Sequence, residues 1–143
     1  MADEIADDEL LYRSVADAVE CHETAARTLL RLSHSTFNDP EHQPSVDRAS
    51  LRPDGPDSSR WTPEHGVVGL NAGAVRRVVF TSKDGKHATA VNFAPLSNNA
   101  AHALICPDPH VTSGPAFKRM KEALCLIAKP GGWLSLPASA RDT

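Results

Sequence analysis

His102, Cys106 and His110 recur at intervals of four, and their nitrogen and sulfur atoms are the ligands that zinc takes. On one unbroken helix they would share a face. Pro107 and Pro109 forbid that helix past Cys106, so a loop would have to gather the three, with Cys21 or His22 as a fourth ligand. The same stretch admits nucleophilic chemistry: Cys106 as the attacking thiolate, His102 or His110 as its base, and Asp108 orienting the base. Two plainer accounts weigh against both. Seven histidines in 143 residues make chance clustering common, and a free cysteine is usually a small buried hydrophobe.

A second set is electrostatic. Arg76, Arg77, Lys83, Lys86, Lys118, Arg119 and Lys121 lie in a C-terminal half, 67–143, that carries nine bases against four acids. Such a half can contact a phosphate backbone, but the set has no interleaved aromatics and matches no recognised module. Residues 1–12 carry five acids and no base, and residues 13–66 nine acids and six bases. The net charge of −3 therefore hides a gradient. It either cancels within one fold or orients a partner.

The elements that must position these residues follow from periodicity. Leu11, Val15, Ala18, His22, Ala25, Leu29 and Leu32 are spaced alternately by four and three, the stripe of an amphipathic helix. Asp7, Asp8 and Glu9 stand at its start and Arg27 and Arg31 near its end, as the helix dipole favours. No Gly or Pro interrupts 1–39. The pattern predicts one long helix through residue 34. Its stripe is broad enough to serve as the interface to a second copy or to a protein partner. His22 within that stripe would make such a contact sensitive to pH.

Residues 35–66, with five prolines, read as a connector whose ends Phe37 and Trp61 pin to the core. Val67–Leu70 is a short β run. Val75–Ser82 and His87–Phe93 flank Lys83-Asp84-Gly85-Lys86, a hairpin signal in which the glycine accepts a positive φ. Val91 and Phe93 should point inward. Gly66, Gly69 and Gly73 suggest a bend or a close backbone approach. Residues 98–105 suit a short helix. Residues 115–129 suit a longer one, capped by Ser113, with Lys118, Arg119 and Lys121 outside. Trp133–Leu136 reads as a last strand paired with the hairpin.

Met120–Leu136, MKEALCLIAKPGGWLSL, resembles the late helix–turn–strand of class I S-adenosylmethionine-dependent methyltransferases over about 17 residues. The parts of that family that hold its cofactor, a Gly-rich turn after the first strand and an acid ending the second, have no counterpart here. Arg27 and His34 are spaced similarly to the Arg…His pair of HEPN-type ribonucleases, an all-helical family that a hairpin and a terminal strand do not suit.

The length predicts a single domain, 1–143, with a 1–34 helix, a 35–66 connector and a 67–143 unit of hairpin, helix and strand. Apolar residues make up 41% and aromatics 5%, so the core is built of Ala, Val and Leu. The expected class is α+β: a long N-terminal helix and a C-terminal helix on a small, mostly antiparallel sheet. Three widely spaced cysteines without a CxxC, no apolar run of about 18 residues and an acidic start point to a soluble, cytoplasmic chain with no membrane span and no cofactor. The leading functional expectation is a non-catalytic interaction or assembly protein acting through the first helix, as a homo-oligomer or with a protein partner. A small enzyme or metal protein built on His102, Cys106 and His110, and a nucleic-acid binder using the basic half, are the alternatives.

Overall fold

The structure is a computed structural model that describes residues 4–16 and 32–136. Its frame is one sheet of seven strands: β1 (Leu10–Val15), β2 (Ser45–Arg48), β3 (Gly66–Asn71), β4 (Phe80–Ser82), β5 (Gly85–Phe93), β6 (His102–Asp108) and β7 (Trp133–Ser135). Their order across the sheet is β4-β5-β6-β2-β1-β3-β7. Every neighbouring pair is antiparallel. Two helices are described: α1 (Ala72–Arg76), five residues long, and α2 (Gly114–Ala128), fifteen residues long.

The expected long N-terminal helix is overturned, because β1 runs where its first turns would lie and pairs with both β2 and β3. Leu11 and Val15 are four apart. Four is an even number, so they share one face of a strand as readily as one face of a helix. Both are fully buried on the sheet. The preceding acids pair with arginines instead of capping a helix: Asp7 with Arg76 and Glu9 with Arg48. Of the remaining stripe, Leu32 packs half-buried against the core. Ala18, His22, Ala25 and Leu29 lie outside the described residues, as do Cys21, Arg27 and Arg31. The class is therefore mainly an antiparallel sheet with one C-terminal helix of length.

Residues 35–66 are not only a connector. They supply β2, the middle strand of the seven, through Ser45–Arg48. Phe37 is fully buried, as expected, but Trp61 stands in solvent. The stretch expected as a short helix, 98–105, is a turn leading into β6. Ala103 and Ile105 are buried there on one face and alternate with His102 and Leu104 on the other. Pro107 is tolerated in β6 because it lies past the end of β2, where β6 has β5 alone beside it. Of Val75–Ser82, the part before Val78 turns into α1, whose start Asn71 caps by accepting the Ala74 N–H. The β4–β5 hairpin and the positive φ of Gly85 are as expected. β7 pairs with β3, at the far edge from the hairpin.

The pairing register sorts the sheet into two faces. Leu11 and Val15 of β1, Val46 of β2, Val68 and Leu70 of β3, Val91 of β5, and Ala103 and Ile105 of β6 share one face. All eight belong to the core, with Ala116, Phe117, Met120, Leu124 and Ala128 of α2. Ser113 caps α2 as expected, its side chain accepting the Ala116 N–H. Phe93 sits at the margin of this face, half-buried. Close approach explains two glycines: a Cβ at Gly69 would lie 2.7 Å from Leu134 Cδ1, and one at Gly73 2.9 Å from the Asp7 carbonyl oxygen. Both sheet edges are three-residue strands, β4 and β7. Such short edges are poor templates for pairing with another chain. Among the described residues no helix is long and apolar enough to cross a membrane.

Candidate functional site

The other face of the sheet carries Tyr12 and Ser14 of β1, Ser45 and Asp47 of β2, and His102 of β6. Two irregular segments flank it. One brings Ser59 and Trp61, the other Leu96, Asn98 and Asn99. Together these residues line a cleft of about 240 Å³.

The floor of the cleft is locked. Asp47 is buried, and its Oδ2 accepts the Ser59 hydroxyl at 2.8 Å while Oδ1 accepts from Asn99 Nδ2 at 2.8 Å. Arg52 Nη2 lies 3.2 Å from Asp47 Oδ2 and donates to Asn99 Oδ1 at 2.9 Å. His102 Nδ1 donates to the Ala94 carbonyl at 2.8 Å, which fixes the hydrogen on that nitrogen when the ring is neutral. Both Asp47 oxygens are paired in this network, although Arg52 Nε is buried without a partner, and paired buried groups favour one geometry. The cleft is preorganised by these bonds.

The rim is apolar and exposed. Trp61 has 69% of its surface in solvent and Leu96 49%. Trp61 is nonetheless held in place. Its backbone N–H donates to Ser14 Oγ at 3.2 Å, and its ring lies 6.0 Å from the His65 ring. The Arg13 guanidinium stands 5.9 Å from the Trp61 ring and the same distance from the Phe37 ring. β1 and β2 are paired only at Leu11–Arg48 and Tyr12–Asp47. Beyond that pairing the Arg13 guanidinium takes over, donating to the Ser45, Thr36 and Asn38 carbonyls.

Two serine–histidine contacts stand out among the described residues. Ser14 Oγ lies 2.8 Å from His65 Nδ1, at the edge of the cleft. That oxygen also accepts the Trp61 amide hydrogen, so it serves as a structural junction. Ser82 Oγ lies 2.7 Å from His87 Nε2, whose Nδ1 donates to the Pro109 carbonyl at 2.7 Å. This geometry has the tautomer of a general base, but His87 is 2% exposed and stacked on Phe80. It braces the hairpin.

The structure separates the sequence-derived candidates. His102 and Cys106 are four residues apart along β6, about 13 Å at the rise of a strand. His110 lies beyond Pro109, its ring 6.3 Å from His42. No group of three or more His, Cys, Asp or Glu placed to hold a metal occurs among the described residues. Cys106 and Cys125 are both buried, and burial pushes the Cys106 thiol above its ordinary range. Iodoacetamide at pH 7.5 is therefore expected to alkylate Cys106 at least about tenfold more slowly than a free thiol, with full labelling after urea. Peptide mapping reads this directly. Labelling at the free-thiol rate would restore the nucleophile reading.

The basic residues are in part engaged and in part exposed. Arg76 is engaged by Asp7, and Arg119 donates to the Thr81 carbonyl. Arg77, Lys83, Lys86 and Lys118 are exposed. Lys121, expected outside, is buried. Its position four residues after Phe117 puts it on the inner side of α2. The cleft itself was missed from sequence. Trp61 in a proline-rich segment was its one visible sign, since a bulky aromatic there must either pack or serve as a contact. Compared with protein-family models, curated proteins and solved structures, the chain shows no match.

Proposed function

We propose that this protein is a non-catalytic binding module that holds an extended segment of a protein partner in the cleft, with Trp61 as the anchor. The observation that carries this is an exposed tryptophan fixed at the rim of a preformed cleft. Exposed tryptophans are rare and dominate binding energy where they occur at interfaces. The rim pair, Trp61 and Leu96, suits an apolar side chain. Asn98, Asn99, Ser45, Tyr12 and His102 offer donors and acceptors to a peptide backbone. The short edge strands support a face contact over edge pairing.

Selection from a random peptide display library, with counter-selection on Trp61→Ala, tests this. Enriched peptides should bind the native protein in the micromolar range, and Trp61→Ala should weaken them by about tenfold or more. Peptides that bind the variant equally well, or no enrichment at all, would overturn the reading.

A further inference from the structure

A second cavity, about 410 Å³, lies between the 38–42 loop and α2, and is lined by Asn38, Asp39, Pro40, His42, Gly114, Phe117 and Lys121. Lys121 is 8% exposed. Among the described residues it has no carboxylate within ion-pair distance. Its Nζ donates to Asn38 Oδ1 at 2.6 Å and stands 4.7 Å from the centre of the Phe117 ring. An ammonium in such a setting has lost water without gaining a counter-ion, which favours the neutral amine. Burial, and then the nearby Lys118 charge, accordingly hold its pKa below the ordinary lysine range. His42 lines the same cavity. Its ring is stacked on Phe117 at 4.5 Å, and its Nδ1 donates to the Val111 carbonyl at 2.8 Å. When the ring is neutral, Nε2 is then the nitrogen with a free lone pair. His42 also holds a φ of 58°, in the left-handed region that asparagine, aspartate and histidine enter more often than other non-glycine residues.

The geometry points to Lys121 as a nucleophilic amine that condenses with the carbonyl group of a small aldehyde entering this cavity, with His42 as the proton carrier. The Nζ lone pair attacks the carbonyl carbon, and the proton leaving nitrogen passes to the former carbonyl oxygen to give a carbinolamine. Loss of that hydroxyl as water, with one proton, leaves a C=N bond between Lys121 and the aldehyde carbon. No oxidant or reductant is consumed. The site is separate from the cleft and does not rest on the peptide-binding reading.

The test is reductive trapping of the full chain at pH 7 with propionaldehyde and cyanoborohydride, resolved by peptide mass spectrometry. Lys121 should be alkylated at least about fivefold faster than the exposed Lys83, Lys86, Lys118 and Lys129, despite its burial. Alkylation at or below the rate of those four overturns the assignment. His42→Asn, which tolerates the left-handed backbone, should bring Lys121 down to the rate of the surface lysines. An unchanged rate in that variant, with the fold retained by circular dichroism, overturns the role given to His42.

Discussion

Arg13→Met is expected to cost about 3–5 kcal/mol of unfolding free energy, the largest effect of any single substitution foreseen for this chain. The guanidinium donates to three backbone carbonyls, Thr36 at 2.9 Å, Ser45 at 2.7 Å and Asn38 at 3.1 Å. Met keeps much of the apolar stem but orphans all three acceptors. A carbonyl left unpaired in the interior costs on the order of 1–3 kcal/mol; the Thr36 acceptor is buried and the Ser45 and Asn38 acceptors are part-buried. Two of the three, Thr36 and Asn38, belong to the 34–38 segment, which packs Phe37 into the core and lies outside every strand, while Ser45 opens β2. Arg13 also stands beside Trp61, so the variant should weaken peptide binding in whatever fraction stays folded. Urea titration measures the cost, with the exposed Arg77→Met as a control expected within about 0.5 kcal/mol of the native protein. A loss under about 1 kcal/mol in Arg13→Met would show that water replaces the guanidinium cheaply.

The second large effect is acid sensitivity centred on Glu9. Arg48 holds Glu9 in a two-pronged pair, Nε to Oε2 and Nη2 to Oε1, each at 2.8 Å. The side chains are 5% and 9% exposed. These hydrogen bonds from Arg48 hold the Glu9 carboxyl below the usual carboxylate range, against the opposing push of burial. A depressed folded pKa means that the stabilisation is fully present above the unfolded value of about 4.3 and is lost as the pH falls through the folded value. Glu9→Gln removes the carboxylate charge that the Arg48 guanidinium grips and should cost about 3 kcal/mol at pH 7. The native protein and the variant should then converge in stability as the pH falls below about 4.3 and through the lower folded value. A gap that stays constant over that range would show that Glu9 acts by packing and not by charge.

In the C-terminal half the sequence carried the hairpin and the long helix, but not β6, α1 or the partner of β7. The β4–β5 hairpin, α2 and its Ser113 cap follow from turn and capping chemistry that acts over a few residues. The N-terminal half was misread for a definable reason. Leu11 and Val15 satisfy both periodicities, and the residue between them that would mark alternation is Arg13, a charge on the buried face. A strand reading requires that an arginine be paid for by carbonyls from residues 36–45, which no local pattern reveals. β2 was hidden in the same way. Its four residues, Ser45-Val46-Asp47-Arg48, hold one apolar side chain, and its place mid-sheet depends on partners in β1 and β6. The cleft inherits this non-locality, since its lining comes from three strands and two loops spread from Tyr12 to His102. The histidine–cysteine spacing, by contrast, was legible but uninformative: a rise of about 3.3 Å per residue in β6 draws out what a helix would have stacked.

The central claim is that the sheet face opposite α2 is the binding surface. Amide chemical-shift mapping of the labelled protein, titrated with a selected peptide, tests it most directly. The account predicts that the largest shifts fall on Ser14, Asp47, Trp61, Asn98, Asn99 and His102, and that α2 stays unmoved. Shifts centred on Phe117, Leu124 and the rest of the α2 side, with the cleft silent, would contradict it.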